Sequence, residues 1–236
     1  MNRISFACAA LLAIAVSSCT SDAYEKGDGE YSVMEAQMAE IHVDSTLQAD
    51  FFVTDDGEEL AVANPFKTGW MTTPDSTYRA MAYFSRNNDG KEAQGARGSV
   101  RLLAHVNGLN RVGVAVPRKI KEMKTDPVHF ESMWLSANGK YLNLGLYLLL
   151  GSTDDEEAIQ KLGCLNDTLV ANADGTTTQH LTLYHDQGGV PEYYSQRTFV
   201  SIPLDAIRAD FIALTIRTYS GGTERKIIQL RGQSAQ

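Results

Sequence analysis

The chain has 236 residues, of which 43% are apolar and 21% are charged, so it can bury a core and lacks the composition of a disordered protein. Its 29 acidic residues outnumber its 21 Lys and Arg residues, which gives a net charge of −8. This balance argues against a nucleic-acid partner, because such binding depends on clustered basic side chains. The length fits one large or two ordinary domains.

The amino terminus has the features of a secretory signal. Arg3 precedes an apolar run over residues 6–16, which is shorter than the roughly 20 residues that a membrane-spanning helix needs. The run ends in Val16-Ser17-Ser18-Cys19, which resembles a bacterial lipobox, in which the Cys thiol takes a diacylglyceryl group and becomes the new amino terminus. We therefore expect residues 1–18 to be removed as a signal peptide and Cys19 to carry lipid. The alternative is an ordinary secretory signal that is cut near Ser18.

The segment that follows Cys19 is polar and acidic, and it has no apolar period. We expect residues 19–30 to form a flexible tether. Two or more acyl chains, palmitate among them, hold a protein stably on a membrane, so the protein is expected to be anchored there rather than to span it. Acidic residues soon after the acylated Cys resemble the surface-export signal of lipoproteins in one Gram-negative phylum. The predicted location is the outer membrane, on its surface or on its periplasmic face.

The first half of the body alternates apolar and polar residues, as half-buried strands do. The alternation covers residues 47–53, 78–84 and 100–106, and Asp55-Asp56-Gly57 and Asn107-Gly108 are typical of tight turns. We expect five or six short strands between residues 31 and 116. Residues 34–41 also fit helical spacing, so a helix is the alternative for the first of them.

The second half contains the clearest strand of the sequence. Leu142, Leu144, Leu146, Leu148 and Leu150 share one face, and such a face requires a second sheet packed against it. Short apolar runs follow, separated by turn signals at Asp174-Gly175, Gly188-Gly189 and Gly221-Gly222. This spacing is typical of a β-sandwich.

Four segments of the second half are informative, namely residues 131–135, 141–144, 181–189 and 199–204. They resemble the carboxy-terminal module of NigD-like lipoproteins, with Asp186 at a position where that family usually has Asn. The resemblance implies an all-β chain in which an OB-like small barrel precedes a β-sandwich. It also implies a surface or periplasmic lipoprotein of unestablished activity, named after a bacteriocin-associated gene cluster, and it brings no catalytic residues.

The sequence predicts no catalytic, cofactor or metal site. Its five His residues lack metalloprotease spacing, and Gly-x-Ser-x-Gly and Cys–His signatures are absent from the sequence. Acidic runs at residues 55–59 and 154–157 could attract calcium, but neither has the pattern of a calcium loop and both are expected to face water. Cys164 is expected to fill the core.

Two loops carry pairs of aromatic residues that are candidate ligand contacts. Phe66 and Trp70 lie in the first loop, and Tyr193 and Tyr194 lie in the second. Exposed rings could stack on sugar faces or anchor a protein partner, and OB folds often bind along one face. The alternative is that the rings fold back over the ends of the barrel or the sandwich.

Together these patterns predict a non-enzymatic envelope lipoprotein. Its expected partners are the membrane, through lipidated Cys19, and an envelope protein or a glycan that it binds or shields; it is expected to be a monomer. The alternatives are a hydrolase with a site assembled from loops, a bacteriocin-immunity factor and a small-ligand binding factor. The predicted organisation is a signal peptide (1–18), a tether (19–30), an OB-like barrel (31–116), a linker (117–127) and a β-sandwich (128–232).

Overall fold

A computed structural model describes residues 34–86, 92–94 and 100–230, with the backbone alone for residues 92–94 and 100–102. Every regular element in these ranges is a β-strand, which confirms the predicted all-β class. None of the described segments forms a helix with the length and apolar character needed to cross a membrane. The predicted signal peptide, the tether and Cys19 lie outside the described residues.

The first six strands form one sheet that closes on itself. Around the sheet the order is β3-β2-β1-β4-β6, and β3 returns to β6 through a parallel pairing, while β5 extends β6 as a hairpin. A closed five-stranded arrangement in this order is the OB topology, so the predicted OB-like barrel is confirmed. The strands are β1 (Glu35–Val43), β2 (Ala49–Thr54), β3 (Glu59–Phe66), β4 (Ser76–Arg86), β5 (Glu92–Gln94) and β6 (Val100–Arg111).

The barrel core explains why residues 35–43 form a strand, and the helical alternative predicted for residues 34–41 is wrong. Ala39, Ile41 and Val43 alternate inward and are almost completely buried. β1 also pairs with β2 on one edge and with β4 on the other, and such pairing outweighs weak helix propensity. Inside the barrel, the rings of Phe52 and Phe84 meet edge to face, with their centroids 5.0 Å apart.

Asn107 and Gly108 do not form the predicted turn, because both lie inside β6. The register with β4 shifts by one residue between Tyr83 and Phe84, opposite this point, as in a β-bulge. A bulge bends a long strand, and a closed barrel requires such bending. The same residue types that end a hairpin therefore curve a continuous strand here.

The remaining strands form two sheets that pack face to face, which confirms the predicted sandwich. One sheet has the order β7-β13-β10-β9 and the other has the order β15-β14-β12-β11-β8. The strands are β7 (Gly113–Val114), β8 (Pro117–Arg118), β9 (His129–Leu135), β10 (Tyr141–Leu150), β11 (Lys161–Ala171), β12 (Thr177–Asp186), β13 (Tyr194–Pro203), β14 (Phe211–Thr218) and β15 (Gly222–Gln229).

The leucine face of β10 supplies the centre of the sandwich core. Leu142, Leu144 and Leu146 are fully buried and Leu148 nearly so, as predicted. They pack with apolar residues of both sheets, and the buried Cys164 of β11 is part of the same cluster, so its predicted role as core filler is confirmed. Further members are Leu181, Leu183, Val200, Ile202, Ile212, Leu214 and Ile216.

Candidate functional site

A buried ion pair lies where the barrel meets the sandwich. Arg79 is on the outer face of β4, because its neighbour Ala80 points into the barrel core. Its guanidinium binds both carboxylate oxygens of Asp55, with Nη1 2.7 Å from Oδ1 and Nη2 2.8 Å from Oδ2. The Arg79 side chain is only 2% exposed. A buried pair of this kind is tolerated only when further hydrogen bonds satisfy the remaining polar atoms.

The sandwich supplies those further hydrogen bonds. Arg79 Nε donates to Ser201 Oγ of β13 at 3.0 Å, and Nη2 donates to Asn143 Oδ1 of β10 at 3.2 Å. Asn143 Nδ2 in turn donates to Asp55 Oδ2 at 3.0 Å. The ring of Tyr141 covers the guanidinium, whose Cζ lies 4.2 Å from the ring centroid. These five residues form the junction cluster, which fixes the barrel against the sandwich.

A second set of charges flanks the junction cluster. Glu40 of β1 accepts hydrogen bonds from Lys140 Nζ and from the Tyr141 hydroxyl, each at 2.7 Å. Burial raises the pKa of Glu40, but the hydrogen bonds from Lys140 and Tyr141 outweigh it, so that the pKa is lowered. Burial, together with the contact with Glu40, raises the pKa of Tyr141. At neutral pH the carboxylate is therefore ionised and the phenol is protonated.

Two open grooves lie beside the junction. One, of about 770 Å³, runs past Glu40, Lys140 and Tyr141 to Asp205 and Arg208. The other, of about 440 Å³, is lined by Tyr83, Leu109, Asn110 and Arg111 of the barrel and by residues 196–199 of β13. We call the second one the β13 groove.

The β13 groove combines cationic and aromatic side chains. Arg197 lies over the ring of Phe199, with its Cζ 4.7 Å from the centroid, and its Nε donates to Glu131 at 2.8 Å. The Phe199 ring meets Trp134 edge to face. Arg111 is exposed and forms no ion pair with any residue that the structure describes. The groove therefore presents positive charge on a protein whose net charge is −8.

The predicted aromatic contacts belong to two different settings. Phe66 and Trp70 are partly buried and pack against the barrel core, and Trp70 meets Tyr78 edge to face at 5.8 Å. Tyr193 is 78% exposed and Tyr194 is 54% exposed. The structure thus turns the first pair towards the core and the second pair towards solvent.

The exposed Tyr193 is held by its surroundings. Its backbone N–H donates to the carbonyl of Leu150 at 2.9 Å, which fixes the loop to the end of β10. Gly151 lies directly against the ring, since a Cβ atom there would approach Tyr193 Cδ2 to 2.7 Å. The neighbouring Glu192 accepts a 3.0 Å hydrogen bond from the Tyr219 hydroxyl. The Tyr193 ring is therefore exposed on a loop whose backbone is hydrogen-bonded to the end of β10.

The described ranges contain no cluster of three or more His, Cys, Asp or Glu residues that could hold a metal ion. The thiol of Cys164 is unsuited to nucleophilic chemistry, because burial raises its pKa to about 12. A His–Asp pair that the sequence reasoning missed occurs at a bulge between β1 and β2, where His42 Nδ1 lies 2.7 Å from Asp50 Oδ1. The His42 ring stacks on Phe51, with the centroids 4.5 Å apart.

The sequence reasoning also missed the junction cluster. Arg79 and Ser201 are 122 positions apart, and Arg79 and Asn143 are 64 apart, so no local spacing connects them. A weak signal exists in the polar Asn143, which lies in a strand otherwise rich in leucine.

Comparison with known proteins places the second half of the chain in a family. A family model described as the NigD-like C-terminal beta sandwich domain matches residues 114–230. No protein with curated annotation matches the chain.

Solved structures match most of the chain, at identities that show the fold alone. A NigD-like immunity protein from Bacteroides caccae is 22% identical with a TM-score of 0.62, and the match covers 82% of this chain and 91% of that one. A protein of unknown function from Bacteroides vulgatus is 18% identical with a TM-score of 0.61, and the match covers 85% of this chain and 92% of that one. A protein from Bacteroides fragilis described as a candidate lipoprotein is 10% identical with a TM-score of 0.55, and the match covers 85% of this chain and 99% of that one. At residues 114–230 the chain therefore carries the C-terminal β-sandwich domain of the NigD-like family.

Proposed function

We propose that this protein is a lipid-anchored, non-catalytic binding protein of the outer membrane. Its lipid would be attached at Cys19, and its folded part would bind or shield an envelope protein or a glycan. The lipobox-like Val16-Ser17-Ser18-Cys19 supports the anchor. A candidate lipoprotein among the proteins that share its fold is consistent with it.

The proposed binding function rests on one observation, which is that Tyr193 and Tyr194 are exposed on a loop whose backbone is hydrogen-bonded to the rest of the fold. Two adjacent large rings that are more than half exposed are costly to leave in water, and they are the residue type that most often anchors a protein or sugar partner. The backbone hydrogen bond from Tyr193 to Leu150 ties the loop to the end of β10. A preorganised loop loses less entropy on binding.

The charged groups at the junction support a binding role over catalysis. Asp55 and Glu40 are each neutralised by a cation and by hydrogen bonds within the protein. Carboxylates held in this way brace the fold, whereas a general acid or base must be free to exchange a proton with substrate. The buried Cys164 offers no nucleophile.

The anchor is tested by membrane fractionation of cells that express the protein. Cys19→Ala should move it from the membrane pellet to the soluble fraction, and the matched control Cys164→Ala should stay in the pellet. Retention of Cys19→Ala in the pellet would overturn the anchor. Protease added to intact cells separates the surface face from the periplasmic face.

The binding function is tested with a photo-crosslinking amino acid at position 193 in anchored protein, together with a glycan array probed with the purified folded part. A discrete crosslinked protein or a bound glycan class is expected. The double variant Tyr193→Ala with Tyr194→Ala should abolish the glycan signal, and Tyr194→Ala should abolish the crosslink. The control Leu169→Ala with Val170→Ala, which also removes exposed apolar side chains, should not. If wild-type protein gives neither a crosslink nor a glycan signal, the proposal is contradicted.

Bacteriocin immunity is the second candidate function. It rests on the shared fold with a NigD-like immunity protein. Expression in a bacteriocin-sensitive strain should then raise survival, and the Cys19→Ala variant should protect less. Equal survival with and without the protein would eliminate this candidate.

A further inference from the structure

Half of strand β13 has an open edge. On one side β13 pairs with β10 along its whole length, from Tyr194 to Pro203. On the other side β7 pairs with it only at Val200 and Ser201. Among the described strands, none pairs with residues 194–199 on that side. Residues 196–199 of this open stretch line the β13 groove.

The geometry of the β7 contact identifies the backbone groups that are open. Successive residues of a strand direct their N–H and C=O groups to opposite edges. The carbonyl of Ser201 points towards β7, because it accepts a 2.9 Å hydrogen bond from the amide of Ala115. Arg197 and Ser195, an even number of positions away, therefore direct their N–H and C=O groups to the same edge. Among the described strands, none pairs with these groups, and they continue the ladder that β7 begins.

The open edge lies in a concave and cationic setting. The barrel residues Tyr83 and Arg111 form the opposite wall of the groove, whose volume of about 440 Å³ is within the range of ligand sites. Arg111 is exposed and has no ion pair within the described part of the chain. The exposed rings of Tyr193 and Tyr194 lie at the N-terminal end of the β13 edge.

The outer edge of β15 provides a contrast. It carries the charged residues Glu224, Arg225 and Lys226, and Lys226 Nζ binds Glu224 at 2.6 Å. Charged side chains along an exposed edge oppose strand pairing with another chain. The β13 edge instead has open backbone groups among the described strands, and it lies near Arg111, which has no ion pair with a described residue, and near the exposed rings of Tyr193 and Tyr194.

We infer that the β13 edge binds an extended, acidic segment of a partner protein by strand addition. The segment would form a ladder with Ser195 and Arg197, direct a carboxylate to Arg111 and end against Tyr193 and Tyr194. Backbone pairing of this kind provides affinity, and alternate side chains provide specificity. The inference rests on the proposed binding function and deepens it by specifying a peptide segment rather than a glycan.

The test uses the purified folded part and octapeptide libraries that alternate Val, Thr or Tyr with Glu, and matched libraries with Lys in place of Glu. Binding is followed by fluorescence anisotropy and by NMR. The acidic library should bind and the basic one should not. The amide signals of Ser195 and Arg197 should shift and become protected from exchange. Equal binding of both libraries, or no binding of the acidic one, would overturn the inference.

Charge variants localise the site. Arg111→Glu should weaken binding of the acidic library about tenfold or more and should favour the basic one. Arg225→Glu, the same change at an exposed position of β15, should leave binding unchanged. Ser195→Pro removes an edge-facing N–H without removing a bond to β10, so it should abolish binding while the circular dichroism spectrum is retained. If Ser195→Pro fails to fold, the two arginine variants decide the result, and equal affinities for them would contradict the site.

The outcomes separate this inference from the proposed function. Loss of peptide binding with a persistent crosslink or glycan signal at Tyr193 would eliminate strand addition and leave the binding function standing. Absence of all three signals would remove both.

Discussion

Arg79 and Ser201 are 122 positions apart in the sequence, yet Arg79 Nε donates a 3.0 Å hydrogen bond to Ser201 Oγ. The first residue belongs to the barrel and the second to the sandwich. Because the same guanidinium also binds Asp55 and Asn143, the contact is one edge of a closed network. This network joins two folds that each have a separate apolar core.

Arg79→Met should therefore be strongly destabilising. It leaves the carboxylate of Asp55 without its cation, and breaking a buried pair in this way costs roughly 3–5 kcal/mol. Urea unfolding followed by tryptophan fluorescence measures the loss. Arg225→Met, at an exposed position of β15, is the matched control and should change stability by less than about 0.5 kcal/mol. Similar losses for the two variants would contradict a structural role for the pair.

Removing the carboxylate of Asp55 from the Arg79→Met variant should recover part of the lost free energy of unfolding. In the double variant Arg79→Met with Asp55→Asn, no buried charge remains, so the free energy of unfolding should exceed that of Arg79→Met alone. Additive losses in this cycle would indicate that Asp55 and Arg79 act independently.

Local features of the fold could be predicted from the sequence because local physics determines them. Gly57 and Gly175 adopt positive φ angles of 86° and 85° in the predicted turns. Glycine has no Cβ to clash in this conformation. Four of the five alternating leucines of β10 are buried as predicted, since period two places them on one face of a strand, and Leu150 at the strand end is partly buried.

Contacts between the barrel and the sandwich could not be predicted in this way. Asn143 and Ser201 lie on the face of their sheet that the alternation assigns to solvent, but both are 0% exposed because the barrel covers them. Trp70 and Tyr193 give similar sequence signals, as aromatic residues in loops near a proline. Only the folded chain distinguishes the ring that packs on a core from the ring that faces water.

Cys164 should be unreactive in the folded protein. Its side chain is 0% exposed, and burial raises the pKa of its thiol to about 12, so almost no thiolate forms at mildly alkaline pH. In protein that begins at residue 20, an Ellman reagent assay should detect no thiol under native conditions and one per chain in denaturant. Rapid native labelling would mean that β11 opens locally.

Gly188→Ala should destabilise the protein more than Gly57→Ala. Both glycines have positive φ angles, of 58° and 86°, so each substitution incurs backbone strain of roughly 1–2 kcal/mol. A Cβ at position 57 would meet nothing within 4 Å, whereas one at position 188 would lie 2.0 Å from the carbonyl oxygen of Ile159. Thermal unfolding of the two variants measures the difference. Equal thermal unfolding midpoints would show that the backbone at Ile159 moves aside for the added Cβ atom at negligible cost.

Stability should rise with pH because of Tyr78. Its hydroxyl oxygen accepts hydrogen bonds from the backbone amides of Thr72 at 2.8 Å and Thr73 at 2.7 Å. Hydrogen bonding from Thr73, through its side chain and its amide, lowers the pKa of Tyr78 from 10.0 to about 7. Between these values the unfolded chain holds a proton that the folded chain has released, so the free energy of unfolding increases with pH. The stabilisation is complete above pH 10.0 and is lost as the pH falls through about 7.

Tyr78→Phe tests this linkage, because it removes both the titrating group and the acceptor of two amides. The difference in the free energy of unfolding between pH 7 and pH 10 should be smaller in the variant than in the wild-type protein. Tyr193→Phe is the matched control, since it removes an exposed hydroxyl and should retain the wild-type dependence. Tyrosinate absorbance of the folded protein provides an independent measurement. Wild-type protein should show one tyrosine that ionises well before the others, and Tyr78→Phe should not. If the absorbance curves of the two proteins have the same shape, Tyr78 does not form a phenolate near neutral pH, and its amide contacts serve only to hold the loop.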